Sequence, residues 1–346
     1  MKILVLNAGS SSLKYKLFID RELSLEGMIE NITDYHKGII EVESRLQQEA
    51  NISDLSSLDV VGHRVVHGGE VFQESVLIDQ KVIDTIRSLI PLAPLHNPAN
   101  LEGIVTIAKE APTLKQVAVF DTAFHQTLPP KAYHYALPYE LYKESGIRRY
   151  GFHGTSHQFV ANKASRILGK DPQETSLITL HLGNGASLCA IKNGKSIDTS
   201  MGFTPLEGLI MGTRSGDIDP AILLYLSRES GYTIDQLDNL LNKQSGLLGI
   251  CHQNDMRQIH TMIQEGHTNA KLALEMFVYR IKKYIGSYYA ILGGIDALVF
   301  TGGIGENDAI SRALILDGLP FDIPSLVIKT DEELAIALEC ERVVGG

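Results

Sequence analysis

Arg64, Asp121, His153 and Arg214 stand in glycine-rich or sharply turning contexts that suit the handling of anions. Arg64 lies in HRVVHGGE (His63–Glu70), where a strand ends at a Gly-Gly turn beside two histidines. A planar fork of donors there suits a carboxylate or a phosphate; the plainer reading is an ordinary ion pair. Arg214 lies in MGTRSGDIDP (Met211–Pro220), inside the irregular stretch Asp198–Pro220, which carries few charges before it. Long irregular stretches of this kind are usually functional loops, although Asp217 or Asp219 could brace the arginine. His153, in YGFHGTSH (Tyr150–His157), precedes a helix expected to begin near Thr155 or Ser156. A histidine beside a helix N-terminus is placed to donate to an anion. His157 adds a zinc-like spacing, but no acidic residue or third ligand lies nearby, so a metal is the weaker reading. Asp121 sits in FDTAFH (Phe120–His125), where another apolar strand breaks off in a polar turn.

Two hairpins position this chemistry. The strand Lys2–Leu6 runs into NAGSSSLK (Asn7–Lys14) and out through alternating Leu13, Tyr15, Leu17 and Ile19. Leu177–Leu182 runs into GNGASL (Gly183–Leu188) and out through Cys189–Ile191. Small residues at such turns let backbone N–H groups approach an anion, and serine hydroxyls add donors. One copy is a weak signal; a matched pair indicates two related lobes gripping phosphates. A strand-to-helix turn, FTGGIGEN (Phe300–Asn307), has glycines that let backbone pass beside a ligand in the second half, as FDTAFH ends a strand in the first. Ligands of open α/β sheets bind at such carboxyl ends of strands.

The connecting elements follow from capping and periodicity. Asp79 should cap a helix through Val82, Ile83, Ile86 and Leu89, and Asn97 the next, with Pro98 in its first turn. Asp219 should cap Pro220–Glu229, and Thr233 with Gln236 forms a capping box. A helix should run from Ala270 to Leu292, followed by the strand Ala297–Phe300. Leu128–Tyr142 reads as a long connection, with the lobes meeting somewhere between Thr122 and Gly151.

At 346 residues the chain has room for two domains, and 44% hydrophobic with 21% charged residues is a globular composition. A net charge of −10 without a basic cluster argues against nucleic acid. No apolar run approaches the roughly 18 residues of a membrane span, and the one after Lys2 is too short for a signal peptide. Three scattered cysteines indicate neither a disulfide framework nor a zinc site. A cytoplasmic protein is the simplest reading. Known phosphate loops are missing. Gly194-Lys195-Ser196 lacks the earlier glycine of a Walker loop and is better read, with Asn193, as a hairpin turn. GIGEND (Gly303–Asp308) lacks the third glycine of a protein-kinase loop, and no serine-hydrolase elbow is present.

Taken in order, NAGSSSLK, HRVVHGGE, FDTAFH, YGFHGTSH, HLGNG (His181–Gly185), MGTRSGDIDP and GGIGEN resemble the acetate kinase family over almost the whole chain. The resemblance implies an α/β, two-lobed, duplicated ribonuclease H-like fold of the sugar kinase, Hsp70 and actin kind, each lobe a βββαβαβα core. The N-terminal lobe would comprise 1–125 plus 332–346 and carry the phosphate and acetate side. The C-terminal lobe, 126–331, would bind nucleotide and dimerise. The implied reaction is reversible, Mg²⁺- or Mn²⁺-dependent transfer from ATP to acetate in a homodimer, without nucleic-acid or membrane partners.

By motif, Asn7 and Glu332 would help place the metal, with Ser10, Ser12 and Lys14 beside the phosphates. Arg64 and Arg214 would hold the carboxylate and the moving phosphoryl group, His153 would donate to its oxygens, and Asp121 would orient Arg64 or the metal. Val66, Leu95, Phe152 and Pro205 resemble the family's methyl pocket. His181, Leu182, Gly183, Asn184 and Gly185, with Asp255, Met256 and Arg257 and with Gly303, Ile304, Gly305, Glu306 and Asn307, would surround the nucleotide. The chain departs from the family pattern in being shorter before His63 and between Asn307 and Thr330. It also carries Cys251-His252-Gln253 in place of a small-residue run.

The chemistry needs no general base, because a small carboxylic acid is already ionised at neutral pH. Bringing two anions together is a matter of positioning and charge stabilisation. Propionate is the nearest competing substrate. A non-catalytic ATP-binding module of the actin or Hsp70 kind is the alternative from another class, and two arginines with a histidine donor speak against it.

Overall fold

The structure is a computed structural model that describes residues 1–9, 12–32, 34–320 and 323–345. The chain divides into two compact units. The first comprises Met1–Gln126, Gly154–Phe159 and Asp331–Gly346, and the second Thr127–His153 and Val160–Thr330.

In the first unit, β1 (Lys2–Ala8), β2 (Ser12–Ile19) and β3 (Glu22–Glu30) form an antiparallel meander. β4 (Val60–Val65) joins β1 in parallel, β6 (Gln116–Phe120) joins β4 in parallel, and the two-residue β5 (Val76–Leu77) closes the edge, giving the order β3-β2-β1-β4-β6-β5. Strand alternation decides the layers. Leu4 and Leu6 point with Leu13 and Leu17 into a core shared with Ile39, Val42 and Leu46 of the helix Tyr35–Ala50 and Ile107 of the helix Asn97–Glu110. Ile3 and Val5 point the other way, against Ile336, Ala337 and Cys340 of the helix Glu332–Gly345. That helix lies so close to β4 that a Cβ on Gly62 would come within 2.6 Å of Cys340 Sγ. The helix Glu332–Gly345 thereby covers one face of the first sheet.

The second unit repeats the scheme. β7 (Ser176–Leu182), β8 (Ala186–Lys192) and β9 (Lys195–Thr199) are an antiparallel meander, with β10 (Ala297–Thr301) parallel to β7 and β11 (Ser325–Val327) parallel to β10. The order β11-β10-β7-β8-β9 matches the first sheet strand for strand, apart from the extra β5. Phe277, Ile281, Ile285 and Tyr288 of the 25-residue helix Thr268–Leu292 are buried. Each hairpin is closed by a glycine N–H: Gly9 donates to the Ser12 carbonyl, three residues on, at 2.8 Å, and Gly183 to that of Gly185, two residues on, at 3.0 Å. The expected α/β duplicated fold is borne out.

Local expectations fared unevenly. Asp79 caps the helix Gln80–Ser88 by accepting from Val82 N–H, Thr233 and Gln236 form their capping box, and Asn193 and Gly194 both take positive φ in the β8–β9 turn. Asn97 is not a cap. It is the first helical residue, after His96, and its buried amide accepts from His67 N–H at 3.1 Å and donates to the His67 carbonyl at 3.0 Å. The helix expected from Thr155 or Ser156 begins at Gly154. Pro220 caps Ala221–Glu229, while Asp219 accepts from Ala221 N–H at 2.9 Å. At FTGGIGEN the expected passage from strand to helix is present: β10 runs directly into the helix Gly302–Asn307. The connection after Leu128 contains two short helices, Pro130–Tyr133 and Tyr139–Ser145. Among the described residues no helix is long and apolar enough to cross a membrane.

Candidate active site

In the first unit the ends of β4 and β6 bring Arg64 and Asp121 together. Arg64 Nε lies 3.0 Å and Nη2 2.7 Å from the two carboxylate oxygens, a two-pronged pairing. Glu332 approaches the same guanidinium at 3.8 Å. Burial works against the charge on Arg64, but the two carboxylates outweigh it and raise its pKa. Burial pushes the Asp121 carboxyl upward, with Arg64 opposing. The ordinary ion pair allowed for Arg64 is therefore present, and it leaves Nη1 outside the fork.

The surrounding loops are pinned from the helix Asn97–Glu110. Asn100 accepts from Val66 N–H at 3.1 Å and donates to the Ala8 carbonyl at 2.7 Å, while Asn97 holds His67. These two buried asparagines were not anticipated as site supports. Their signal was an Asn at i and i+3 on an otherwise apolar helical face. Val66 is half-buried and Leu95 is 56% exposed. Lys14 is paired with Glu333 at 2.7 Å, and Lys16 reaches the same carboxylate at 3.3 Å. Burial opposes the charge on Glu333, and the two lysines hold its carboxyl below the usual range. Asn7 sits on β1 opposite Lys14, half-buried, and its side chain has no hydrogen-bond partner among the described residues. Ser12 begins β2; Ser10 lies outside the described residues.

In the second unit His153, His181, Gly185 and Arg214 converge. His153 takes left-handed backbone angles (φ 56°) at the start of its helix. Its Nδ1 lies 2.9 Å from Ser187 Oγ, and its ring stacks on His181 at 4.2 Å. Gly185 lies against both donors: a Cβ there would sit in ordinary van der Waals contact with Arg214 Nη2 and His153 Cε1, each at 3.5 Å. Arg214 Nη1 donates to the Pro205 carbonyl at 2.8 Å. No carboxylate among the described residues of its unit pairs with Arg214, and burial alone lowers its pKa. Asp217 serves Gly208 N–H, Tyr284 and Arg280, and Asp219 the Ala221 N–H, so the bracing alternative for Arg214 fails.

The loop carrying Pro205 is itself held. Arg149 donates to the carbonyls of Thr199, Ser200 and Met201 and pairs with Glu207, which also binds Tyr135. Sequence reasoning missed this trio, because its members lie 58 and 72 positions apart. Phe152 is buried beside them in the chain, at 2% exposure.

A separate cavity of about 810 Å³ opens in the second unit, lined by Gly183, Asn184, Asp255, Met256, Arg257, Gly303, Ile304 and Asn307, all singled out above. Asn254, His260, Asp308, Ala309 and Ile310 complete it and were not foreseen. Leu182 is buried in β7, and Gly305 packs near the Leu180 carbonyl. Glu306 faces inward to brace the turn, accepting from Gly302 N–H at 3.1 Å and Thr330 N–H at 3.0 Å. A cavity of this size suits a nucleotide-sized ligand.

A model of the acetokinase family matches residues 21–344. A protein named acetate kinase from Sulfurovum sp. (strain NBC37-1) is 51% identical, covering 99% of each chain. One of the same name from Campylobacter jejuni subsp. jejuni (strain 81-176) is 46% identical over the whole of both. The Sulfurovum alignment extends over 392 positions against 346 residues here, in keeping with a chain shortened internally. Among solved structures, the Porphyromonas gingivalis acetate kinase superposes with a TM-score of 0.94 at 42% identity, covering 99% of both chains. A Francisella tularensis propionate kinase gives 0.92 at 43%, covering 98% of both.

Proposed function

The chain belongs to the acetokinase family, and from that premise we propose that it catalyses reversible transfer of the γ-phosphoryl group of ATP to acetate, giving acetyl phosphate and ADP. The observation that carries the reading is Arg214: a cation with no carboxylate partner among the described residues of its unit, set beside His153 above Gly185. A guanidinium left in that state is suited to a ligand's negative charge.

In this reading Arg64, held in orientation by Asp121, binds the acetate carboxylate. Arg214 and His153 donate to the phosphoryl oxygens as charge spreads over them. His153 is presented for this by Ser187 and by stacking on His181. Acetate arrives ionised, so no residue has to remove a proton. Val66, Leu95, Phe152 and Pro205 surround the methyl group, and the second-unit cavity takes the nucleotide. Ser10, Ser12 and Lys14 attend the phosphates, Lys14 exchanging Glu333 for them.

The oxygens of Asn7 and Glu332 fit a hard cation that keeps waters and takes phosphate ligands. They would hold Mg²⁺ or Mn²⁺, which when bound neutralises phosphate charge. A cytoplasmic setting belongs to this reading, supported by three buried free cysteines. So does a homodimer, supported by the helix Ala221–Glu229, where Ile222, Leu224 and Tyr225 stand 46%, 55% and 64% exposed.

Incubation with ATP and acetate in the presence of hydroxylamine tests the function: acetyl hydroxamate should form. Release of ADP and phosphate alone would refute it. Propionate is kept as a second acceptor because of the Francisella propionate kinase match. One methylene in an apolar pocket is worth only about 1–3 kcal/mol, so both acids belong in the assay.

A further inference from the structure

We propose that Asp217 is a positioning residue for Arg214: by clasping Gly208 and tying it to the helix Thr268–Leu292, it fixes the loop from which the guanidinium reaches the phosphoryl group. The inference rests on the reading of Arg214 as a donor to the phosphoryl oxygens.

The clasp is a pair of opposed hydrogen bonds. Asp217 N–H donates to the Gly208 carbonyl at 3.0 Å, and Gly208 N–H donates to Asp217 Oδ1 at 2.8 Å. Leu209–Gly216 is thereby closed into a loop, with Leu209, Ile210 and Met211 buried. Its two arms touch backbone to backbone: Gly216 takes φ 66°, and a Cβ on it would come within 2.3 Å of the Leu209 carbonyl oxygen. The same carboxylate ties the clasp to the core of its unit. Tyr284 Oη–H donates to Asp217 Oδ2 at 2.8 Å, and Arg280 approaches that oxygen at 3.5 Å. Arg280 also donates to the main-chain carbonyls of Gly208 at 2.9 Å and Asp217 at 3.2 Å. Arg280 and Tyr284 stand four residues apart, on one face of a helix that buries Phe277, Ile281 and Ile285. Burial and the Asp217 carboxylate raise the pKa of the Tyr284 hydroxyl, which therefore stays a donor.

Arg214 depends on this closure through its own anchor. Pro205 lies three residues before Gly208, and Arg214 three residues before Asp217. The bond of 2.8 Å from Arg214 Nη1 to the Pro205 carbonyl thus joins the segment entering the clasp to the loop inside it. Opening the clasp lets the two drift apart. The far end of the loop has a second support, because Ser245 N–H donates to the Thr213 carbonyl at 3.0 Å and Leu247 N–H to that of Met211 at 2.9 Å. Losing the clasp therefore displaces the guanidinium without unravelling the loop. A displacement of about 1 Å can cost on the order of 10²-fold in rate.

A double-mutant cycle in hydroxamate kinetics tests the proposal. Asp217→Asn keeps the side-chain shape but puts an amide donor where Gly208 N–H, Tyr284 and Arg280 all need acceptors. It should lower kcat about tenfold, with KM for ATP within about twofold of wild type. In the Arg214→Ala background the same change should lower kcat by less than about twofold, because the group it positions is gone. Equal losses in both backgrounds would overturn the proposal, since a merely structural role adds to the loss of Arg214. Hydrogen exchange reads the clasp without catalysis. The amides of Gly208 and Asp217 should exchange about tenfold faster in Asp217→Asn, and faster than wild type in Tyr284→Phe. Exchange unchanged in both variants would overturn the clasp itself. A wild type that forms no acetyl hydroxamate while exchange behaves as stated would instead count against the carboxylate-kinase reading.

Discussion

Arg214 donates to the main-chain carbonyl of Pro205 at 2.8 Å, while Asp217, three residues further on, binds Arg280 and Tyr284. The loop thus offers its arginine a neutral anchor and spends its carboxylate elsewhere. A cation arranged in this way keeps its capacity to meet a ligand's charge. The same contrast separates Arg214 from Arg64, whose fork is filled by Asp121.

Arg214→Ala should lower turnover on the order of 10²-fold or more, comparable to losing an oxyanion donor. Arg214→Lys should recover part of this, since it restores charge but not the planar fork. Steady-state hydroxamate kinetics would measure both, and near-normal turnover in the alanine variant would remove Arg214 from the mechanism.

In the proposed mechanism Asp121 acts through Arg64, with which it pairs, and not as a base. Asp121→Asn should raise KM for acetate and leave the shape of the pH–rate profile unchanged, because no proton is abstracted. Disappearance of a limb of that profile would assign Asp121 a proton-transfer role.

His63 and His67 are buried, and burial lowers each from 6.5 to about 4. On acidification the unfolded chain takes up these protons below about pH 6.5, whereas the folded chain resists until about pH 4. Stability contributed by each histidine is therefore complete above 6.5 and declines as pH falls towards 4, by on the order of 3 kcal/mol per residue. Urea unfolding across this range should show the decline, and His63→Gln should remove its share. A flat profile between these limits would refute it.

Glu207→Ala should strand Arg149 beside three carbonyls without its counter-charge. Breaking such a pair should cost on the order of 3 kcal/mol, read as a fall in the urea midpoint. Turnover should fall too, through the loop that carries Pro205. A variant as stable and active as the parent would show that the trio does not support the site.

If the apolar face of Ala221–Glu229 is the dimer contact, Leu224→Glu should shift sedimentation toward monomer at micromolar concentration. An unchanged dimer would move the interface elsewhere.

Local chemistry in the sequence reached some elements and not others, for physical reasons. Asp79, Thr233 with Gln236, and Asn193-Gly194 were legible because cap and turn energies are set within four residues. Arg64, His153 and Arg214 stood out because glycine, histidine and arginine together are poorly explained by packing. Asn97 misled because its amide is spent 30 positions away on His67, a contact only the fold creates. The pairs Lys14–Glu333 and His260–Asp308 bridge 319 and 48 positions, so no periodicity could reveal them. The strand-to-helix passage at FTGGIGEN was legible from its glycines, whereas the bond from Gly302 N–H to Glu306 that braces it was not.

The central claim is that acetate attacks the γ-phosphorus directly, with the protein supplying only positive charge and position. ATP made chiral at a γ-thiophosphoryl group by oxygen isotopes tests this most directly. The account predicts inversion at phosphorus in the acyl thiophosphate product. Retention would contradict it, by requiring a second displacement through a phosphorylated side chain such as His153.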